Sequence, residues 1–220
     1  MSTRKSGGFA IRSGQTVVFI GDSITDCGRR ETARPFGQGY VQNIIDLIAA
    51  RYPGRRIQFV NKGIGGQTTD ELAARWADDV LAQEPDWVSI MIGINDVHRF
   101  LFHPDEVKVP PDRYRANYLQ MLARTRRQTR AKLVLMDPFY ASRETEADAR
   151  RGLVLRWLPK YIGTVREMAR KFKTVRVPLH DMFRRHLRHR STEDLTSDAV
   201  HPTSAGHLLI AHEWLAAMGW

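Results

Sequence analysis

The 220-residue chain is short of several things, and each shortage excludes a class of protein. It has one cysteine, Cys27, which rules out an intramolecular disulfide framework and a cysteine-based zinc site. No apolar run approaches the roughly 20 residues that a membrane-spanning helix needs. Arg4 and Lys5 near the start are followed only by residues 17–20 as an apolar run, well short of the ~7–15-residue core of a secretory signal. A cytoplasmic location is expected. There is no internal repeat, low-complexity tract or linker, so residues 1–220 read as one domain with residues 1–13 as a loose N-terminal arm. The eight histidines form no convincing metal set: His186 and His189 lie among arginines, and His207 and His212 fall on the last helix. No metal and no organic cofactor is expected.

Acidic residues are scarce in one region. The chain carries 34 Lys and Arg against 24 Asp and Glu, a net charge of +10, and residues 111–190 hold 21 of those bases but only 7 of the acids. One reading is an anionic partner, a nucleic acid or an acidic saccharide. The other is arginine-rich helix faces turned to solvent, favoured here because the arginines are dispersed along helical patterns and no nucleic-acid motif accompanies them.

What is present is an alternation. Short runs at 17–20, 57–60, 87–92, 132–136 and 174–177 read as strands, the first and third of them buried. Between them lie helical patterns. Val41, Ile44, Ile45 and Ile48 mark one, and Leu72, Trp76 and Val80 mark a second that opens with a Thr68/Glu71 capping box. A third runs through Tyr114, Tyr118, Met121 and Leu122. A fourth carries Leu158, Tyr161, Ile162 and Val165, and is bent or begun near Pro159. The last helix is expected to start at Pro202 and to bury Leu208, Ala211, Leu215 and Met218. Residues 97–111, with Pro104, Pro110 and Pro111, read as an irregular loop and a candidate lid or pocket wall. The pattern predicts a three-layer α/β/α sandwich on a central five-stranded parallel sheet.

The first strand ends in Gly21-Asp22-Ser23, and the C-terminal edge of such a sheet is where ligands bind. Ser23 is the candidate nucleophile, with Asp22 tying down its turn. A serine hydroxyl needs a positioned base. His201 is the candidate, with Asp198 three residues before it to fix its tautomer and stabilise the imidazolium. Pro202 disfavours a helical conformation at His201 and leaves it on a loop. Oxyanion donors are sought after successive strands: the Ser23 N–H, the Gly66 N–H in a glycine-rich loop, and the Asn95 side-chain amide. Taken singly, each of these could be an ordinary turn or cap residue. Cys27 reads as a small buried residue rather than a nucleophile. Gly-x-Ser-x-Gly is absent around Ser23, unlike an α/β-hydrolase elbow.

Together, Gly21-Asp22-Ser23, the 61–66 loop, Gly93-Ile94-Asn95-Asp96 and Asp198 with His201 resemble the four blocks of the SGNH (GDSL-type) hydrolase superfamily, in order and across residues 17–202. The stretches FIGDSITDCGR at 19–29, GYV at 39–41, NKGI at 61–64, DWVSIMIGINDV at 86–97 and DPFY at 137–140 are similar to its branch of bacterial acetylxylan esterases and carbohydrate deacetylases. Ser197 departs from that pattern, standing where some relatives carry an aromatic residue.

The resemblance implies a flavodoxin-like sheet and a serine esterase with Ser23 as nucleophile, His201 as base, Asp198 as its partner and Gly66 and Asn95 as oxyanion donors. The expected substrate is a small acetylated carbohydrate such as a xylo-oligosaccharide, with no membrane partner and a possible homo-oligomer. A general short-chain esterase, lysophospholipase or thioesterase is the alternative within the superfamily. A non-catalytic carbohydrate- or nucleic-acid-binding protein is the alternative outside it.

Overall fold

The structure is a computed structural model that describes residues 8–103, 105 and 108–220. Five strands, β1 (Thr16–Gly21), β2 (Gln58–Asn61), β3 (Trp87–Met91), β4 (Lys132–Met136) and β5 (Val175–Val177), form one sheet in the order β2-β1-β3-β4-β5. Every pairing is parallel. Parallel strands buried on both faces read as continuous apolar runs rather than alternating ones. For that reason β1, β3 and β4 lie where the sequence places them, and the partly buried edge strands β2 and β5 do so as well, with ends shifted by a residue or so.

The chain leaves β1 for β2 on one side and then returns past β1 to β3, β4 and β5. With right-handed crossovers, the first connection and the later ones lie on opposite faces. α2 (Tyr40–Arg51) packs with the C-terminal α10 (Ser204–Ala217), while α3 (Thr69–Ala74), α5 (Ile94–Phe102), α6 (Pro111–Gln128) and α7 (Arg150–Phe172) pack among themselves. Short helices α1 (Ser23–Asp26), α4 (Trp76–Asp79), α8 (Leu179–His186) and α9 (Thr192–Leu195) fill the connections. Phe19 and Ser89 are register partners facing α10. Trp214 of α10 packs at a tilt against Phe19 and donates its indole N–H to Ser89 Oγ at 2.9 Å. On the other layer, Trp76 donates to Thr125 Oγ1 at 3.0 Å and Tyr114 to Ile92 O at 3.0 Å.

Several boundaries differ from the sequence reading. The stretch 97–111 is not irregular throughout, because α5 continues to Phe102 and α6 begins at Pro111. Prolines draw the eye there, but Pro111 occupies the first helical turn, where its missing N–H costs nothing. Pro104, Glu106 and Val107 lie outside the described residues. The last helix starts at Ser204, capped by Thr203 Oγ1, while Pro202 forms an antiparallel bridge to Thr196. Its buried face is His207, Ile210, Ala211, Trp214 and Leu215, which leaves Leu208 half-exposed instead of buried. Pro159 sits inside α7, neither at its start nor at its end. Residues 1–7 of the supposed loose arm lie outside the described residues, but Phe9 and Ile11 are buried, and Ala10 N–H bonds Met218 O at 2.9 Å.

The layer contact has a testable magnitude. Trp214→Ala empties a fully buried site and strips Ser89 of its donor, so urea unfolding should show a loss of about 3–5 kcal/mol. A loss under ~1 kcal/mol would mean that α10 is not anchored through this indole.

Candidate active site

In a sheet of order 2-1-3-4-5 the topological switch lies between β1 and β3, and the crevice beyond their C-terminal ends is the expected ligand site. Ser23 stands two residues past the end of β1. Asp22 caps the short α1: its Oδ1 accepts Ile24 N–H at 3.1 Å and its carbonyl accepts Asp26 N–H at 2.9 Å, so the chain turns sharply and presents Ser23 at the edge.

His201 arrives from the far end of the chain. Its Nε2 lies 3.0 Å from Ser23 Oγ and its Nδ1 lies 2.7 Å from Asp198 Oδ2. An ionised carboxylate only accepts, so Nδ1 carries the proton and Nε2 presents a lone pair to the serine hydroxyl. Asp198 is doubly engaged, because its Oδ1 also accepts the backbone N–H groups of Val200 (2.9 Å) and His201 (2.7 Å). Burial works against its ionisation, but those N–H groups and the imidazole outweigh it and hold the carboxyl below its ordinary range. Ala199 between them is left-handed at φ +74°, a conformation that an alanine adopts only when its surroundings impose it. Its carbonyl receives Ala141 N–H at 2.8 Å, which ties the catalytic loop to the end of β4.

The loop after β2 runs alongside. Lys62 N–H and Ile64 N–H donate to Phe19 O (2.7 Å) and Gly21 O (3.1 Å), so β2 stays bonded to β1 beyond the formal end of the strand. A Cβ placed on Gly65 would sit 3.7 Å from Ser23 Cβ, so the loop lies against the serine. Gly66 has φ +76° and open space on its Cβ side. Asn95 opens α5, and its amide donates to Gln67 O at 2.9 Å, leaving its second N–H available. Neither Ser23 N–H nor Gly66 N–H has an acceptor among the described residues. The structure therefore joins Ser23, His201 and Asp198 directly, sets the Gly66 loop beside Ser23 and links Asn95 to that loop.

The profile of the GDSL-like lipase/acylhydrolase family matches residues 19–209. The chain belongs to this family.

An acetylxylan esterase of Geobacillus stearothermophilus is 39% identical over 220 residues, covering 96% of both chains. The crystal structure of Axe2, an acetylxylan esterase from that organism, matches with a TM-score of 0.86 at 38% identity, over 96% of this chain and 97% of that one. LAE5, an α/β hydrolase enzyme from the metagenome of Lake Arreo, Spain, matches with a TM-score of 0.86 at 34% identity, over 96% and 98%. Catalytic mutants of Axe2 with a serine, an aspartate or a histidine replaced by alanine are among the similar structures. The protein is thus a carboxylic ester hydrolase of the SGNH type, and its five-stranded sheet is that fold.

In this acylhydrolase the other singled-out groups have structural partners. Cys27 Sγ lies 3.4 Å from His207 Nε2, while His207 Nδ1 accepts Tyr40 N–H at 3.1 Å. The accepting Nδ1 puts the ring proton on Nε2, aimed at the sulfur. Burial raises the Cys27 thiol and pushes His207 down to about 4, so both stay neutral near pH 7. No group of three or more His, Cys, Asp or Glu among the described residues could hold a metal ion. No helix among them is long and apolar enough to cross a membrane.

Sequence reasoning missed His98 and Arg99. His98 packs edge-on against Tyr140 at 5.9 Å, and burial lowers its imidazole to about 4, so it stays neutral near pH 7. Their signal was available: Asn95, His98 and Arg99 are spaced by three and four on one helix face. A proline-led reading that ended the ordered structure at Val97 hid it.

Asp22 sets a pH dependence. Burial raises its carboxyl from 3.8 to about 7, against the pull of Ile24 N–H and of His201. Across that window the native state holds a proton that the unfolded state has released, so this group's contribution to stability falls as pH rises. Asp22→Asn keeps the acceptor for Ile24 but cannot ionise. Its stability relative to the unmodified protein should climb steadily from pH 4 to pH 7 in urea titrations, and a difference independent of pH would contradict the assignment.

Proposed function

We propose that this esterase removes short acyl groups, acetyl above all, from carbohydrate hydroxyls through an acyl-enzyme on Ser23. The observation that carries the reading is the continuous hydrogen-bond path from Ser23 Oγ through His201 to Asp198, with distances of 3.0 and 2.7 Å. Support for the substrate comes from an acetylxylan esterase relative that is 39% identical over nearly the whole chain. The half-exposed His201 (51%) and Asp198 (52%) add to it, since an open triad suits a hydrophilic alcohol that needs no apolar tunnel.

In this mechanism Ser23 Oγ attacks the ester carbonyl carbon while its proton passes to His201 Nε2. Asp198 stabilises the imidazolium that forms. The tetrahedral oxyanion accepts from the Ser23 and Gly66 N–H groups and from the free amide hydrogen of Asn95. Collapse breaks the bond to the sugar oxygen, which takes the proton from His201. Water then gives a proton to His201 and attacks the acyl-enzyme, and acetate leaves as Ser23 regains its proton. Asp22 holds the turn and takes no part in proton transfer. One half-buried thiol and no disulfide suit a reducing compartment, and the cytoplasm is the proposed one.

Ser23→Ala should lower kcat on p-nitrophenyl acetate by about 10⁴–10⁶-fold with the fold intact, and a phosphonate should label Ser23 alone. An active Ser23→Ala enzyme would sink the nucleophile. A carbohydrate deacetylase should also lose activity steeply beyond propionyl esters and release acetate from acetylated xylo-oligosaccharides. A preference for long acyl chains would instead indicate a lysophospholipase or thioesterase.

A further inference from the structure

A glycine-rich loop is a poor place for an oxyanion donor unless something fixes it. Gly63, Gly65 and Gly66 can each adopt several backbone conformations, and a donor that must reorient during the reaction loses most of its value. Strand pairing holds the loop only as far as Ile64. Beyond that point side chains do the work.

Asn95 and Arg99 lie one turn apart on α5 and so project from one face of the helix. They reach successive carbonyls of the loop: Asn95 Nδ2 donates to Gln67 O at 2.9 Å and Arg99 Nη2 to Gly66 O at 2.8 Å. Arg99 is held in turn, because its Nη1 donates to Glu71 Oε1 at 2.6 Å. The other carboxylate oxygen of Glu71 accepts Thr68 N–H at 2.8 Å in the capping box that starts α3. One guanidinium therefore spans the loop and the helix that the loop runs into. On the opposite side of Gly66, Gly65 N–H donates to Asp26 Oδ2 at 3.2 Å, and Arg30 Nε donates to the same oxygen at 2.7 Å. The carbonyl of Gly66 and the amide of Gly65 are both taken. The Gly66 N–H between them is the donor left over.

We propose that Arg99 is a positioning residue for ester hydrolysis: it holds the Gly66 carbonyl so that the Gly66 N–H points at the developing oxyanion. It acts through the loop and touches no substrate. The proposal rests on the Ser23 mechanism above. A lysine cannot replace it fully, because an ammonium lacks the planar fork that meets Gly66 O and Glu71 together.

The test is steady-state kinetics of Arg99→Ala and Arg99→Lys on p-nitrophenyl acetate, with the rate of inactivation by a methylphosphonate ester as a measure of oxyanion stabilisation. Arg99→Ala should lose about 10–100-fold in kcat with KM changed less than about twofold, and the inactivation rate should fall by the same factor as kcat/KM. Arg99→Lys should recover part of both losses at an unchanged melting temperature. An unchanged kcat, a loss confined to KM, or a fall in kcat without the matching fall in inactivation overturns the proposal. If Arg99→Ala does not fold, the same three criteria are read from Arg99→Lys. Ser23→Ala separates the two levels: an active Ser23→Ala enzyme defeats the mechanism itself, whereas an inactive one beside a fully active Arg99→Ala enzyme defeats only the role of Arg99.

Discussion

The pairing of β1 between β2 and β3 is the constraint on which the rest of the site depends. Ladder hydrogen bonds fix the register of Phe19 against Asn61 on one side and Ser89 on the other. The ends of three adjacent strands are thereby set side by side, about 4.8 Å from neighbour to neighbour, before any side chain is chosen. Gly21 is where the margin is smallest. A Cβ there would stand 2.2 Å from Met91 O and 2.5 Å from Thr25 Oγ1, so only glycine lets the chain leave the sheet this close to β3. Because β2 stays bonded to β1 through Ile64, the start of the glycine loop is held beside Ser23. Backbone pairing thus positions Ser23 and the loop as far as Ile64, and side chains fix Gly65 and Gly66 beyond it.

His201, the proposed base, has no strand of its own behind it, since it comes from a loop between two helices. That loop is closed by its own bonds: Ser197 N–H to His201 O at 2.8 Å, the Thr196–Pro202 bridge, and the three-point grip of the Asp198 carboxylate. The helix behind it must also be held in place. Trp214 pins α10 to the sheet, and His207 pins its first turns to Tyr40 and Cys27 near the start of the α2 layer. His207 is neutral and buried, and it links the segment that carries Ser23 to the helix that follows His201. Cys27, only four residues after Ser23, belongs to this brace.

How much of this was legible in the sequence follows from which interactions have a local signature. Buried parallel strands announce themselves as apolar runs, so the sheet and its helical layers were readable. The singled-out residue types were readable too, because Ser23, Gly66 and Asn95 follow strands, and Asp198 and His201 sit on a turn before the last helix that Pro202 punctuates. Proline was the main source of error. Pro104, Pro110 and Pro111 suggest a long irregular loop where α5 runs on to Phe102, Pro159 suggests a bend or a helix start, of which the start is excluded because α7 begins at Arg150, and Pro202 suggests a helix start where it forms a bridge. A proline marks a missing N–H, and whether that absence breaks anything depends on where the tertiary structure puts it. The partners of Asp26 and Arg99 were illegible for a different reason. Each side chain acts on a backbone group of a distant loop, Gly65 N–H and Gly66 O, and although helix spacing puts Arg99 on the face of Asn95, no spacing in the sequence encodes a partner of that kind.

The basic excess follows the same logic. Charge counting set an anionic partner against solvated helix faces, and the structure supplies a third use. Arg29 donates to Gly63 O at 2.7 Å, and Arg75 to Lys62 O at 2.7 Å and Gly21 O at 3.3 Å; Arg99 holds Gly66 O. In the basic half, Arg126 donates to Phe172 O, and Arg143 to Arg190 O. Irregular backbone leaves carbonyls without ladder or helix partners, and a partly buried carbonyl left unpaired costs about as much as a lost hydrogen bond. Guanidinium has five N–H groups in a rigid fork and can serve two or three such carbonyls at once, which neither lysine nor an amide side chain matches. Exposed pairs such as Arg115 with Glu167 add little, typically below ~1 kcal/mol. The arginines around the 61–68 loop are therefore better understood as the framework of a segment that no strand or helix can complete, in the part of the molecule where the proposed mechanism needs a fixed N–H.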